Sequence, residues 1–232
     1  MGCFFMLTQS QALEYLIQLL AFALVLFTSI PVHEVSHGLV AYWLGDPTAK
    51  NAGRLTLNPF KHFDLFGTIA LFLVHVGWAK PVPIDPRYFK KPKRDIVLVS
   101  LAGPLSNFIL AFFAMIGYKI CFYAYAVMPG SMVLYVLRTV FYSAVLINIT
   151  LMIFNLLPIP PNDGFKILGV FLPQRTYFTL LKYERYGMII IVVLLLVGAL
   201  QGPLSWLQSV IANLLIHLTG FVEIVLRILF KL

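Results

Sequence analysis

The chain has 232 residues, of which 60% are hydrophobic and 11% are charged, and its mean hydropathy is +0.91. Soluble domains are about half apolar and about one quarter charged, so this composition excludes an ordinary soluble protein. The net charge is +8, but no basic cluster is interleaved with aromatic side chains that could stack on bases, so we expect no nucleic acid partner.

Apolar runs in chain order predict about five membrane spans. A span needs about 20 apolar residues. The runs predict helices near residues 13–44, 97–118, 132–157, 187–200 and 204–230. The fourth is short, but Tyr183 and Tyr186 precede it, and tyrosines favour the membrane interface. The sequence therefore predicts an all-α polytopic membrane protein.

Residues 51–86 are the least helical part of the chain. Turn-forming residues are followed by "TIALFLVHVGWAKPVPI", which is rich in β-branched and aromatic side chains. Its apolar core is about a dozen residues, too short to span a bilayer. We predict a re-entrant segment or a small membrane-associated β element here. Residues 1–164 would form a membrane core, and residues 165–232 a cytoplasmic connection followed by two further spans.

The basic residues predict the orientation in the membrane. Nine of the 17 Lys and Arg residues lie between Lys50 and Arg94, and four more lie between Lys166 and Arg185. The positive-inside rule places both basic loops in the cytoplasm. The basic pI of about 9.5 and the absence of a targeting signal suit the inner membrane of a bacterial or archaeal cell.

The first predicted helix carries "HEVSH", which places His33 and His37 four residues apart. On a helix both imidazoles lie on one face, about one turn apart, where they can hold a single zinc ion. Glu34 adjoins His33 and can take a proton from a water molecule at the metal. A catalytic zinc site also needs a third protein ligand.

Asp163 is the predicted third ligand. The third predicted span ends in "NLLPIPPNDG", whose prolines prevent a regular helix, so a bent segment carries Asn162 and Asp163. Glu223 has Arg227 four residues on as a predicted ion-pair partner, whereas Asp163 has no obvious partner. An ionised residue near the bilayer centre costs about 2.5–3.5 kcal/mol, and a shared cation would offset that cost.

Simpler interpretations exist for the same residues. His33 and His37 could form an interhelical hydrogen-bonding pair, and Asp163 could be a helix N-cap. For any one of these residues taken alone, the simpler interpretation competes with the zinc site. The combination with Glu34 and the prolines favours the zinc site.

Other polar residues are given structural roles. Asn107 and Asn148 lie within the second and third predicted spans, and we expect them to form interhelical hydrogen bonds. His62 follows a turn and is expected to bond locally. We expect His75 to pack at the membrane interface and His217 to be structural.

Five motifs occur in order: "HEVSH", "GRLTLNP", "GWAKPVPI", "SLAGPLSN" and "NLLPIPPNDG". From about residue 24 to residue 164 the chain resembles the site-2 protease family of intramembrane zinc metalloproteases. The resemblance is to a minimal form, because no PDZ-like or CBS-like module fits between the predicted spans. The partners it implies are membrane-embedded protein substrates and the lipid bilayer.

The resemblance implies a role for each matched residue. The family's H-E-x-x-H and N-x-x-P-x-x-P-x-D-G patterns match His33, Glu34, His37, Asn155, Pro158, Pro161, Asp163 and Gly164. It implies that His33, His37 and Asp163 bind one zinc ion and that Glu34 is the general base. Asn155 is implied to hold the substrate or the developing oxyanion. The implied reaction is peptide hydrolysis in or near transmembrane segments.

Two further expectations concern the substrate. Phe165 stands where many members of the family have a second glycine, which is expected to alter the edge of the site but no ligand. A substrate helix must unwind before cleavage, and the strand-prone residues 65–84 could offer an edge for the unwound chain.

Two other functions stay open at this stage. An inactive relative would bind membrane segments without cutting them, although the intact motif residues argue against it. A divalent metal transporter is expected to contain two related halves, and this sequence shows none.

Overall fold

The computed structural model describes residues 9–65, 67–68, 77–182 and 184–230. These residues contain nine α-helices with assigned bounds: α1 Gln9–Trp43, α2 Thr48–Asn51, α3 Pro92–Val127, α4 Met132–Leu156, α5 Asp163–Gly169, α6 Gln174–Leu181, α7 Glu184–Leu196, α8 Gln201–Leu218 and α9 Gly220–Phe230. Two short 3-10 turns, Pro59–Lys61 and Pro86–Tyr88, lie between α2 and α3. The predicted all-α polytopic class is confirmed.

Three helices, α1, α3 and α4, are long and apolar enough to cross a membrane. The helices α7 and α8 meet at an angle of 91° and make a fourth crossing only if the bent pair is one span. Among the described residues this gives three or four spans, where the sequence predicted about five. The predicted division of the chain at residue 164 stays a prediction.

The difference in span number arises in the C-terminal third. The predicted span 187–200 is cut short because Gly198 adopts φ +78°, a left-handed conformation that ends helices. The predicted span 204–230 is divided at Thr219 into α8 and α9. The second piece, α9, has 11 residues and is too short to span a membrane, whereas α8 has 18, near the lower limit for a span.

The segment between α2 and α3 does not form a strand in its described part. One isolated antiparallel bridge joins Phe63 to Ala79. Beside it, the Lys80 N–H donates to the His62 carbonyl at 2.8 Å, and Arg54 Nη2 donates to the Lys80 carbonyl at 2.6 Å. The predicted β element is not found there. Residues 66 and 69–76, which include His75 and nine of the twenty residues of the proposed substrate edge (65–84), lie outside the described residues.

Buried polar residues fasten this segment to the end of α1. Asp46 is fully buried and its carboxylate accepts hydrogen bonds from the backbone N–H groups of Thr48, at 2.9 Å, and Asp85, at 2.7 Å. His62 Nε2 lies 2.7 Å from the Thr56 carbonyl, so its predicted local hydrogen bond is confirmed. The residues before α3 are thereby held against the C-terminal end of α1.

The core lies between α3, α4 and α8. Its fully packed side chains are Ala111, Ala114, Met115, Val145, Ile149, Ile153 and Leu215. Small side chains on α3 let the helices approach closely, which favours helix association in lipid. At Gly117 even a Cβ atom would lie 2.6 Å from the Phe141 ring. This close contact fixes α3 against α4.

A buried lysine fastens the last two helices to this core. Lys119 on α3 is 5% exposed, and its ammonium donates to the carbonyls of Ile216, at 3.0 Å, and Thr219, at 3.2 Å. It also lies 2.7 Å from Glu223 Oε1. The lysine therefore binds the carbonyl end of α8 and the first turn of α9 together.

The predicted ion pair between Glu223 and Arg227 is wrong. Glu223 pairs with Lys119, and Arg227 Nε lies 3.3 Å from the Tyr123 hydroxyl. The buried ammonium cannot be solvated by water, so it takes the carboxylate, whereas the exposed guanidinium does not need it.

Replacing Lys119 by Met should destabilise the protein. The variant loses a charged hydrogen-bond donor to two helix-end carbonyls and leaves Glu223 without its cation, which is expected to lower the free energy of unfolding by about 2 kcal/mol. Denaturant unfolding in detergent measures the change. Lys182→Met, at an exposed position, is the control. Equal stability of the two variants would contradict the anchoring role of Lys119.

Candidate metal centre

Two helices bring three acceptor atoms together. His33 and His37 lie one turn apart on α1, and Asp163 is the first residue of α5. The Nε2 atoms of the two histidines are 3.1 Å apart. Asp163 Oδ2 lies 3.3 Å from His33 Nε2 and 3.0 Å from His37 Nε2. All three residues are buried. The group has the composition and spacing of a site that could hold a metal ion.

The other ring nitrogen of each histidine is fixed by a hydrogen bond. His37 Nδ1 lies 2.7 Å from the Val99 carbonyl, which can only accept, so this nitrogen carries the proton. His33 Nδ1 lies 2.6 Å from Asn107 Oδ1 and donates to it in the same way. In a neutral imidazole the proton on Nδ1 leaves a lone pair on Nε2, which is the form that binds metal.

An asparagine pair sets the orientation of the Asn107 amide. Asn148 Nδ2 donates to the Ala144 carbonyl at 2.8 Å, so Asn148 presents its oxygen to Asn107 Nδ2 at 2.9 Å. Asn107 must then present its own oxygen to His33. The predicted interhelical hydrogen bond between Asn107 and Asn148 is confirmed. Its link to His33 was not predicted, because no spacing in the sequence reveals it.

The positions of the three atoms suit a bound cation, because without one the three acceptors repel one another. Two Nε2 lone pairs and a carboxylate oxygen face one another, and acceptors at 3.0–3.3 Å repel unless a positive charge lies between them. Around a tetrahedral zinc ion with bonds of about 2.0–2.1 Å, neighbouring ligand atoms lie about 3.3 Å apart. The donor set of two imidazoles and one carboxylate is also common at catalytic zinc.

The carboxylate of Asp163 is ionised. The Lys166 ammonium beside it favours the charged form, which is the form that binds a metal ion. Lys166 Nζ lies 2.9 Å from Asp163 Oδ1, the oxygen that faces away from the histidines. The alternative that Asp163 is an N-cap is wrong, because Asn162 precedes the helix and the Asp163 side chain turns towards α1.

Two glycines make this convergence possible. A Cβ atom on Gly103 of α3 would lie 2.3 Å from His37 Nε2 and 2.6 Å from His33 Nε2. A Cβ atom on Gly164 would lie 2.1 Å from the Leu156 carbonyl oxygen. Any side chain at either position would displace a ligand or its support. In the sequence, Gly103 lies within the motif "SLAGPLSN".

Glu34 is held by a backbone donor from outside the three spans. Its Oε2 accepts the Val82 N–H at 3.0 Å. Val82 stands between Pro81 and Pro83, so it supplies the one backbone N–H of this tripeptide. A residue that precedes proline favours extended backbone, which helps to fix the direction of this donor.

A cavity of about 510 Å³ connects these groups. Its wall includes the metal triad, Glu34, Asn155, Lys166 and Trp78. Asn155 Nδ2 donates one hydrogen to the Leu151 carbonyl at 2.9 Å, and an amide nitrogen carries a second hydrogen that can meet a bound molecule. The structure thus brings all five residues singled out by the sequence to one cavity.

Phe165 lies behind the site. Its ring is 3% exposed and stacks on Tyr177 with centroids 5.6 Å apart. It is absent from the described wall of the cavity. The expectation that it alters the edge of the site therefore has no support in the described residues.

Comparisons with known proteins agree with this centre. Residues 21–198 match Peptidase family M50, which extends the likeness beyond residue 164 to the end of α7. A Bacillus subtilis protein named "Putative zinc metalloprotease YwhC" is 44% identical over 171 residues, covering 73% of this chain and 77% of its own. No solved structure was found to match.

Mycobacterial proteins named "Putative zinc metalloprotease Rip2" are also similar. The Mycolicibacterium smegmatis protein is 31% identical, covering 75% of this chain and 65% of its own length. The Mycobacterium tuberculosis H37Rv protein is 31% identical, and the match covers 75% of this chain and 66% of the relative's own length. The chain thus spans about two thirds of these mycobacterial relatives. The names and the His33, His37 and Asp163 group together support zinc as the cofactor, and the chain belongs to peptidase family M50, the site-2 protease family.

Proposed function

We propose that this protein is an intramembrane zinc metalloprotease that hydrolyses peptide bonds in or near transmembrane segments of its substrates. The observation that carries the proposal is the convergence of three buried acceptor atoms within 3.0–3.3 Å of one another, beside a carboxylate in an open cavity. These groups lie on helices long and apolar enough to cross a membrane, or directly next to them.

His33, His37 and Asp163 would hold the zinc ion. Zinc supplies Lewis-acid chemistry in such sites: it polarises a carbonyl and makes a water molecule acidic near neutral pH. The hydrogen bonds to Asn107 and Val99 keep both imidazoles in the metal-binding tautomer.

Glu34 would act as the general base and then as the general acid. Its carboxylate follows His33 in the chain and lines the cavity, so it is placed to accept a proton from the attacking water and return it to the leaving amine. The Val82 N–H holds one oxygen of Glu34, which leaves the other free for this proton.

Asn155 would bind the substrate carbonyl. The free hydrogen of its amide can donate to the oxygen on which negative charge develops. The nearby residues Gly77–Ala79 and Pro81–Val82 line the same cavity and could accompany an unwound substrate chain.

We propose an inner-membrane location with the basic loops in the cytoplasm. The metal triad lies towards the ends of α1 and α4 that lead into the two basic loops, so cleavage would occur near the cytoplasmic side. The relatives named above are bacterial, which favours a bacterial membrane.

An inactive relative and a metal transporter are the competing functions. An inactive relative is expected to have a metal ligand or the proposed base missing or displaced. Here one cavity is lined by all five residues: His33, Glu34, His37, Asn155 and Asp163. A liposome assay for zinc exchange distinguishes the transporter. Cleavage of a model transmembrane peptide by the detergent-purified protein, combined with metal analysis, distinguishes the protease from both.

Replacing Glu34 by Gln should abolish most cleavage. Loss of a general base lowers kcat by about 10²–10⁴-fold, while the three zinc ligands remain. The measurements are kcat on a model transmembrane peptide and the zinc content. Glu14→Gln, at an exposed site on the same helix, is the control. Equal cleavage by the wild type and Glu34→Gln would remove Glu34 from the reaction.

Replacing Gly103 by Ala should reduce zinc binding. The added methyl group would collide with both imidazoles at the atoms that face the metal. Zinc content after purification should fall well below that of the wild type, and cleavage should fall with it. Gly202→Ala is the matched control, because a Cβ atom there meets nothing within 4 Å. A full zinc complement in Gly103→Ala would contradict the packing described for α3.

Replacing Val82 by Pro should slow the reaction without removing zinc. The variant lacks the N–H that holds Glu34, and losing a hydrogen bond to a charged group should lower kcat by about tenfold or more. Val82→Ile keeps the N–H and is the control. The measurements are kcat, KM and zinc content. The same kcat for both variants would show that the Val82 N–H does not position the base.

A further inference from the structure

A second cavity of about 880 Å³ lies between α1 and α4, towards the ends of the helices opposite the metal triad. Its wall is formed by Tyr15, Gln18, Leu19, Phe22, Tyr118, Tyr135, Arg138, Thr139, Tyr142, Ser143 and Leu146. No residue of the catalytic cavity belongs to it. The side chain of Tyr15 is 63% exposed, so the cavity opens sideways between the helices.

Arg138 is the one cationic side chain in this wall. It lies on α4, a helix apolar enough to span a membrane, where an unpaired charge is costly and usually marks a functional site. Its guanidinium carbon lies 4.9 Å from the centre of the Tyr125 ring and 5.7 Å from that of Tyr135. Among the described residues it forms no ion pair, and Glu14, the residue before Tyr15 in α1, is exposed.

Hydroxyl groups surround the cation, and apolar side chains lie beside them. Tyr135, Thr139, Tyr142 and Ser143 are within two turns of Arg138 on α4. Thr139 donates its proton to the Tyr135 carbonyl at 2.9 Å. The α1 side supplies Leu19 and Phe22 together with Tyr15 and Gln18, and α3 supplies Tyr118. The cavity therefore combines one cation and several polar groups with apolar side chains.

We propose that this cavity binds the headgroup of an anionic phospholipid, with the phosphate on Arg138 and the acyl chains along the α1 side. Arg138 lies six residues into α4, about 9 Å from its first residue, a depth that a lipid phosphate can reach. Guanidinium binds phosphate through paired hydrogen bonds, and hydroxyl groups can donate to the remaining oxygens. A transmembrane substrate segment is apolar and would leave the Arg138 charge unpaired.

Lipid retention by the full-length protein tests the proposal. Protein purified in a lipid-free neutral detergent is incubated with phosphatidylglycerol or phosphatidylcholine, and bound lipid is measured by native mass spectrometry. The wild type should prefer phosphatidylglycerol. In Arg138→Gln, affinity for phosphatidylglycerol should fall by at least about tenfold, as expected for a lost charge-assisted hydrogen bond. Arg175→Gln, at an exposed site on α6, should bind like the wild type.

A second variant keeps the test independent of folding. Ser143→Leu fills part of the cavity and leaves the charge in place, so it should also weaken retention, and thermal unfolding identifies any variant that misfolds. Equal retention by the wild type and folded Arg138→Gln would overturn the proposal. So would displacement of the lipid by soluble glycerol phosphate or by an uncharged model transmembrane peptide, since either would assign the cavity to a different ligand.

Discussion

The repulsion among three acceptor atoms is the constraint on which this structure depends. Two Nε2 lone pairs and the Asp163 carboxylate oxygen lie 3.0–3.3 Å apart in a buried site. Such an arrangement persists only if the surrounding contacts hold every member in place. The hydrogen bonds to His33 Nδ1 and His37 Nδ1 hold the rings, and Lys166 holds the other carboxylate oxygen. A cation between the three atoms turns the same repulsion into coordination energy.

Close helix packing is the second requirement, because the ligands come from separate parts of the chain. Gly103 lets α3 pass within contact of both imidazoles, and Gly164 lets α5 turn against the end of α4. The Asn107–Asn148 hydrogen bond then ties α3 to α4 at the level of His33. In lipid, polar contacts and small residues carry helix association because there is little hydrophobic gain between spans. The residues that build the site therefore also hold the three helices together.

Sequence patterns predicted the parts of this structure that depend on local spacing. The apolar runs gave α1, α3 and α4, and the four-residue spacing of His33 and His37 gave two ligands on one face. Asp163 could be predicted as the third ligand because an unpaired acidic residue beside a membrane span is energetically costly. Partners from distant segments could not be predicted in this way, as the Lys119–Glu223 pair and the Val82–Glu34 bond illustrate. At Thr219, where the last predicted span is divided, the carbonyl accepts a hydrogen bond from Lys119, 100 residues earlier.

The metal triad and Glu34 are positioned by different parts of the molecule. The triad is fixed within the packed helices by Asn107, Val99 and Lys166, whereas Glu34 is fixed by Val82 in the segment between α2 and α3. That segment also lines the cavity in which a substrate would lie. A substrate chain lying along this segment, as proposed above, would contact the part of the molecule that holds Glu34 and not the contacts that hold His33, His37 and Asp163.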